Sequence, residues 1–291
     1  MKYYEVEMTI TPCTQDAQDI LSAMAAEAGF ETFEETPTGL LGYVQQSLFL
    51  QEALDAVIAN FPFEGIQIIY KVREAEDRDW NEQWEQEGFE PIEVRRKKDD
   101  GRCVVIHDGR HLGNLPFDNL LFTIEIDAVM AFGTGTHETT RMLCSTLLDM
   151  DLQGKRVLDC GCGTGILGIC ALKLGAESCV GYDIDEWSAD NTRHNAVINH
   201  VDDRLTSLCG DSSVLSNFAA EFDIVLANIN RNILLADMPH FVRVMKPGAT
   251  LILSGFYEAD CALLESKAQQ LGLKLISTRT DGDWASMVFA L

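Results

Sequence analysis

Apolar and polar residues alternate at the start of the chain with the two-residue period of a half-buried strand. Tyr4, Val6, Met8 and Ile10 alternate with acidic and hydroxyl residues over residues 3–10. The following apolar periods predict a helix at 14–28, strands at 30–35 and 40–45, a helix at 50–60 and a strand at 66–72. This βαββαβ order predicts a small α+β, ferredoxin-like domain at residues 1–74.

Residues 75–130 have a weaker pattern and are predicted to form a linker helix and short connecting strands. Trp80 and Trp84 have i,i+4 spacing, which places both indoles on one face of that helix. Short strands are predicted at 91–95, 103–107 and 121–127. The basic residues at 95–98 are interpreted as a solvated turn.

From about residue 137, strand and helix patterns alternate. Apolar strands are predicted at 156–160, 179–183, 205–208, 223–228 and 250–254, with helices at 137–149, 164–174, 186–199, 231–245 and 258–271 and a closing hairpin at 273–290. Repeated βα units with apolar strands are typical of a parallel sheet that is covered on both faces. We therefore predict an α/β class, with a doubly wound, Rossmann-like sheet at 131–291 and a ligand at the carboxyl ends of its strands.

The charge balance bears on the partners of the protein. The 291 residues include 22 Lys and Arg against 46 Asp and Glu, a net charge of −24. Such a surface repels phosphate backbones and attracts a basic partner. We therefore expect no direct binding of nucleic acid, although plain solubility alone explains many acidic compositions.

Composition also indicates a compartment. The N-terminus has no signal-peptide pattern, no apolar run reaches the length of a membrane span, and the nine cysteines include no C-x-x-C pair. We expect reduced thiols, a cytoplasmic location, no membrane association and a monomer. No His/Cys set has the spacing of zinc ligands, so no metal is expected.

The strongest chemical signal is a glycine-rich turn after the first strand of the predicted sheet. Gly163, Gly165 and Gly168 satisfy the G-x-G-x-x-G pattern of dinucleotide-binding proteins. Asp159 with Gly161, Gly163 and Gly165 instead resembles the D-x-G-x-G-x-G loop of methyltransferases that use S-adenosylmethionine. An acid before the first glycine suits a ligand that carries an ammonium and a sulfonium better than a pyrophosphate.

Two further polar residues end predicted strands of the sheet, Asp183 the second strand and Asn228 the fourth. Asp183 can accept hydrogen bonds from both hydroxyls of a ribose, which suits either class of adenosine cofactor. Asp185 is predicted to cap the next helix, and Asp211 either contacts adenine or caps a turn. Asn228 resembles the first residue of the N/D-P-P-Y motif in amine-modifying methyltransferases, where a side-chain carbonyl holds an amine N–H.

The complete set of motifs resembles one family. Residues 133–140 read G-T-G-T-H-E-T-T, followed by the glycine loop, D-I-D, A-N-I, K-P-G and L-I-L-S-G. This combination is similar to the bacterial methyltransferases of ribosomal protein eleven of the large subunit, across almost the whole chain. The resemblance implies that the N-terminal domain recognises the substrate protein. It also implies methylation of lysine and N-terminal amines, up to trimethylation, with S-adenosylmethionine as cofactor.

The resemblance assigns the site residues one by one. It implies cofactor binding by Thr140, Gly161, Asp183 and Asn228, to which the loop pattern adds Asp159, Gly163 and Gly165. Asn228 is predicted to orient the amine, with the proton lost to water. His137 is a candidate catalytic helper, although ordering of its loop is the favoured interpretation. The chain departs from the family pattern at Glu138, Asn230 and Arg231. The family pattern therefore does not assign the residues of the acceptor pocket.

Other functions stay open from the residues alone. A methyltransferase of RNA or of a small molecule is one alternative, disfavoured by the charge and by the additional N-terminal domain. A nucleotide-dependent oxidoreductase is another, against which Asp159 and Asn228 argue. A non-enzymatic binding protein is disfavoured because Gly161, Asp183 and Asn228 are all retained.

Overall fold

The computed structural model describes residues 3–30, 32–46, 48–63, 65–75, 88–96, 101–112, 119–127 and 137–291. Three predicted features lie outside these residues: the helix with Trp80 and Trp84, the end of the basic cluster at 97–98, and the loop at 131–136. The chain divides into two compact units, Met1–Trp80 and Asn81–Leu291. Each unit is described by itself below.

The first unit has the predicted βαββαβ order. Its elements are β1 (Tyr3–Thr11), α1 (Gln15–Glu27), β2 (Thr32–Thr36), β3 (Gly39–Gln45), α2 (Gln51–Ala59) and β4 (Gln67–Glu74). The strands form an antiparallel sheet in the order β2-β3-β1-β4. Val6, Met8 and Ile10 are buried against Leu21 and Leu54 of the two helices, as the alternation predicts. The element order is confirmed, and the ferredoxin-like assignment stays a prediction.

A small sheet opens the described part of the second unit. It contains β5 (Ile92–Arg95), β6 (Cys103–His107) and β7 (Leu120–Glu125), in the order β5-β6-β7. Val104, Ile106 and Ile124 are buried in the same core cluster as Leu143 and Leu147. The connecting strands therefore pack on the C-terminal sheet region, and they share a core with it.

The large sheet has seven strands in the order β10-β9-β8-β11-β12-β14-β13. The strands are β8 (Arg156–Cys160), β9 (Ser178–Asp183), β10 (Leu205–Cys209), β11 (Phe222–Asn228), β12 (Met245–Tyr257), β13 (Lys274–Asp281) and β14 (Trp284–Ala290). The pairs from β10 through β12 are parallel, whereas β14 is antiparallel to both β12 and β13. This arrangement confirms the predicted α/β, Rossmann-like class with a closing hairpin.

Helices cover both faces of the large sheet. They are α3 (Glu138–Leu148), α4 (Ile166–Lys173), α5 (Glu186–Ile198), α6 (Arg231–Val244) and α7 (Cys261–Gln270). One buried cluster places α4 against Val157, Ile224 and Ile252, and a second places α6 against Leu158 and Val225. Since successive side chains of a strand point to opposite faces, β8 and β11 contribute to both cores. None of the described helices is long and apolar enough to span a membrane.

Several element bounds differ from the sequence prediction, and two of these differences concern elements around the site. Helix α4 starts at Ile166 and not at 164, because Gly165 has a left-handed φ of +80° that a right-handed helix cannot contain. Strand β12 is longer than predicted at both ends and reaches Tyr257. This extension carries the sheet beyond the level of Asn228, which matters for the site.

Candidate active site

A cavity of about 570 Å³ lies where the parallel strands of the large sheet end. Such an edge is where ligands bind in open α/β sheets. Of the predicted site residues, the structure brings six together on the cavity wall: His137, Thr140, Gly161, Gly163, Asp183 and Asn228. Asp159 and Gly165 are not among the lining residues.

The glycine turn after β8 is held from beneath by backbone and side-chain hydrogen bonds. The N–H groups of Gly161 and Cys162 both donate to the carbonyl of Tyr182, at 2.8 and 3.0 Å. The Thr192 hydroxyl donates to the carbonyl of Gly163 at 2.8 Å. Gly161 has a φ of +70°, and a Cβ there would lie 2.3 Å from Cγ2 of Ile229. Only glycine fits this position, so the turn keeps its backbone open to the cavity.

Asp183, at the end of β9, links the glycine turn to the start of α5. Its Oδ2 accepts from the N–H of Gly163 at 2.9 Å, and its Oδ1 accepts from the N–H of Asp185 at 3.1 Å. A carboxylate has about four lone-pair sites, so two acceptor sites remain. Asp183 can therefore accept hydrogen bonds from a ligand in the cavity without losing its loop contacts.

Two neighbouring acids cap helical segments. Asp185 caps α5 through the N–H of Ser188 at 3.2 Å, as predicted. Asp211 caps the 3₁₀ turn at Ser212–Asn217 through the N–H of Ser213 at 2.9 Å, and it also lines the cavity. The capping interpretation of Asp211 is thus observed, while its place on the wall leaves contact with a ligand available.

Asn228 ends β11 on the same wall. Its Nδ2 donates to the Thr140 hydroxyl at 3.4 Å, which joins two predicted site residues that are 88 positions apart. Its Oδ1 is buried and has no hydrogen-bond partner among the described residues. An acceptor left without a donor costs about 1–3 kcal/mol. A ligand N–H would remove that cost.

His137 is the N-cap of α3. Its Nδ1 accepts from the N–H of Thr139 at 3.3 Å and lies 2.9 Å from the Thr139 hydroxyl. Its ring packs against Trp284, with centroids 4.6 Å apart. This capping contact supports the favoured interpretation that His137 orders its loop, and its catalytic role stays a prediction.

Asp159 lies beneath the glycine turn. Its Oδ2 accepts from the N–H of Gly168 at 3.0 Å, while its Oδ1 has no partner among the described residues. The pKa of Asp159 is raised to about 8, chiefly by burial and to a smaller extent by the nearby charge of Asp183, against the lowering effect of the Gly168 N–H. The structure therefore supports a role for Asp159 in the architecture of the turn.

We expect Asp159→Asn to flatten the decline in stability toward alkaline pH. The folded pKa of about 8 lies above the unfolded value of about 3.9, so the folded state retains a proton that the unfolded state releases. This contribution to the free energy of unfolding is present below the unfolded pKa and is lost as the pH rises through the folded pKa. Urea unfolding at about pH 5 and about pH 8.5 should show the parent losing on the order of 4 kcal/mol more than the variant. Equal losses would contradict a buried, proton-retaining Asp159.

Several cavity residues were not identified from the sequence. They include Tyr182, Ser212, Asp237 and Trp284. Ser212 donates to Asp237 at 2.8 Å, and the Tyr182 side chain is buried. No local motif marks these positions, because strand register and helix packing bring them to the wall. Only the aromatic identity of Trp284, after the Asp281-Gly282 turn, offered a weak signal.

The residues present fit S-adenosylmethionine. The cavity provides a glycine turn that a Cβ at Gly161 would obstruct, a carboxylate with two available acceptor sites, and a buried carbonyl acceptor on Asn228. Of the described residues on its wall, none is Lys or Arg, whereas Asp183, Asp211 and Asp237 are acidic. A cationic sulfonium nucleoside matches this set, and a pyrophosphate does not.

Fold and site together define the class of S-adenosylmethionine-dependent methyltransferases with a Rossmann-like sheet. The family model of "Ribosomal protein L11 methyltransferase (PrmA)" matches residues 11–291. The chain therefore belongs to the ribosomal protein L11 methyltransferase family. This membership removes the oxidoreductase alternative and identifies the family that the motifs resemble.

Individual relatives agree with the family match. The chain is 43% identical over 291 residues to a curated ribosomal protein L11 methyltransferase of Phocaeicola vulgatus, and the alignment covers all of both chains. It is 44% identical over 291 residues to that of Bacteroides fragilis, again over all of both chains. A crystal structure of a ribosomal protein L11 methylase from Lactobacillus delbrueckii subsp. bulgaricus is 24% identical, with a TM-score of 0.61. That likeness covers 69% of this chain and 98% of the other, and it supports the fold.

Proposed function

We propose that this chain transfers methyl groups from S-adenosylmethionine to lysine and N-terminal amines of ribosomal protein L11. The observation that carries the proposal is the family match over residues 11–291, in a chain whose Asn228 keeps an unpartnered carbonyl on the wall of the cavity. When bound, the cofactor supplies an electrophilic methyl group on a sulfonium.

The wall residues have separable roles in this proposal. Asp183 binds the ribose hydroxyls, and the turn at Gly161 and Gly163 brings backbone close to the cofactor. Thr140 supports Asn228 through the 3.4 Å hydrogen bond and contacts the cofactor. Asn228 accepts an N–H of the acceptor amine, so that the nitrogen lone pair faces the methyl group. Positioning of this kind supplies a large part of the rate of a displacement reaction.

The acceptor must reach the site as a neutral amine. A free lysine has a pKa near about 10.4 and an α-amine near about 7.7–8.0. Burial in the cavity disfavours the ammonium and lowers the amine pKa, whereas the acids of the wall act in the opposite direction. The displaced proton leaves to water, and no general base is assigned.

The charge of the chain supports a basic protein as the partner. With a net charge of −24, the protein favours a cationic substrate and disfavours RNA. We propose further that the enzyme acts in the cytoplasm as a monomer without direct binding of nucleic acid.

The test is an incubation of the purified chain with labelled S-adenosylmethionine and an extract of cells that lack this activity. We expect label in ribosomal protein L11, on lysine and N-terminal amines. Label confined to RNA or to small metabolites would contradict the proposal.

A truncation tests the proposed recognition domain. Deleting residues 1–74 should leave binding of S-adenosylmethionine within about threefold, because every described wall residue belongs to the second compact unit. Methylation of L11 should fall by more than about a hundredfold, since the acceptor is no longer held in place. Calorimetry and methyl incorporation measure the two effects. Full activity of the truncated chain would mean that recognition resides in the second unit.

A further inference from the structure

Three aromatic rings meet at one side of the cavity. Trp284 lines the cavity together with His137 and Asn228. The ring centroids of Tyr257 and Trp284 are 4.4 Å apart, with an angle of 30° between the ring planes. The centroid of the His137 ring lies 4.6 Å from that of Trp284, with an angle of 73° between the planes. We call Trp284 and Tyr257 the aromatic pair.

Strand register places the aromatic pair beyond Asn228. Asn228 pairs with Ser254 across β11 and β12, and Tyr257 pairs with Trp284 across β12 and β14. The pair therefore lies about three residues, or roughly 10 Å along the strand, past the level of Asn228. Gly255 permits this path, because a Cβ there would lie 2.5 Å from the carbonyl oxygen of Ile229. The acceptor side thus combines one carbonyl with an aromatic surface.

The charges of the cavity wall favour a cation as the ligand. Two arginines directly follow wall residues in the chain, and both are engaged with acids: Arg231 with Asp260 at 2.8 Å, and Arg141 with Asp281 at 3.3 Å. The described wall itself contains acids and no Lys or Arg. An aromatic face in such surroundings attracts ammonium groups through the ring quadrupole. The attraction is strongest for methylated ammonium groups that have lost their hydration shell.

We propose that the aromatic pair binds the methylated ammonium of the acceptor, with Trp284 as the contact surface and Tyr257 as its positioning residue. The pair thereby allows transfer to an amine that already carries two methyl groups. This inference rests on the proposed function, and it concerns how many methyl groups one nitrogen receives.

The chemistry explains why Asn228 does not suffice. In each transfer the nitrogen lone pair forms a bond to the methyl carbon while the carbon–sulfur bond breaks, and its electron pair stays on sulfur. The positive charge passes from sulfur to nitrogen, and after the first two transfers a proton leaves to water. A neutral dimethylated amine has no N–H, so Asn228 has nothing to accept. Its third transfer creates a permanent cation, which an aromatic face stabilises without hydrogen bonds.

The experiment compares two forms of one substrate. Ribosomal protein L11 is used unmethylated and after reductive dimethylation of its amines with formaldehyde and a borohydride, which leaves only the third transfer. We expect Trp284→Leu to lower kcat/KM about tenfold or more on the dimethylated protein and less than about threefold on the unmethylated one. Mass spectrometry should show dimethylated product accumulating. Tyr257→Leu should act in the same direction with a smaller effect, and Trp284→Phe should retain most of the third transfer.

Controls separate this inference from folding and from the proposed function. Trp187→Leu removes an exposed indole of α5 that does not line the cavity, and it should match the parent on both substrates. Binding of S-adenosylmethionine reports whether a variant is folded. If Trp284→Leu fails to bind it, the values of kcat/KM for Trp284→Phe and Tyr257→Leu on the two forms of L11 test the inference instead. Equal losses on both substrates, or a parent that methylates L11 but not its dimethylated form, overturn the inference alone. A parent that methylates neither form overturns the proposed function.

Discussion

Replacing Asp183 by alanine is expected to weaken binding of S-adenosylmethionine about a hundredfold or more. Each hydrogen bond to a charged acceptor contributes roughly 1.5–3 kcal/mol, so the loss of two ribose contacts costs at least about 3 kcal/mol. The change also removes the acceptor for the N–H groups of Gly163 and Asp185, which lie 2.9 and 3.1 Å away. The glycine turn then loses the hydrogen bond from Gly163 to Asp183 that orients it. Isothermal titration calorimetry measures the effect directly.

Two further variants make the Asp183 result specific. Asp190→Ala removes an exposed acid of α5 that pairs with Arg193 and does not line the cavity, and it should bind the cofactor within about threefold of the parent. Asp183→Asn keeps one acceptor oxygen and should fall between parent and alanine. An unchanged dissociation constant for Asp183→Ala would exclude it from the cofactor site.

Local sequence patterns explain why much of this site was predictable. A strand, a glycine turn and a helix are consecutive in the chain, so Gly161 and Gly163 had to lie at a strand end. Asp183 and Asn228 end β9 and β11, the two parallel strands on either side of β8, and the carboxyl ends of such strands meet at one edge. The alternation of Val6, Met8 and Ile10 similarly fixed one face of β1.

Non-local packing explains what was missed. Trp284 and Tyr257 are 27 positions apart and face each other only because β12 continues past a bulge at Ser254/Phe256 into register with β14. Asp159 has the residue type of a ligand contact, yet it is only 2% exposed. Asp159 is buried because α4 packs over it, and its carboxylate accepts a hydrogen bond from the N–H of Gly168 in that helix. The start of α4 depended on the left-handed φ of Gly165, which a glycine permits but does not require.

The second large effect is expected at Asn228. Replacing it by alanine should lower kcat/KM for L11 about a hundredfold or more, because an amine that is misplaced by about 1 Å loses reactivity on that scale. Binding of S-adenosylmethionine should weaken less than about tenfold, since Asp183 and the glycine turn stay in place. Asn232→Ala is the matched control: this asparagine of α6 is exposed, bonds to the side chain of its neighbour Arg231 at 3.0–3.1 Å, and should leave the rate within about threefold.

An aspartate at position 228 tests the role of the carbonyl more sharply. A carboxylate also accepts an amine N–H, so Asn228→Asp can still hold the acceptor. Its negative charge favours the ammonium over the neutral amine and therefore raises the pKa of the bound acceptor. The variant should regain activity as the pH increases, with the ascending limb of its kcat profile displaced to higher pH than in the parent. A pH profile of kcat that coincides with that of the parent would show that the amine is oriented by another group. An alanine variant with the full rate on L11 would show the same.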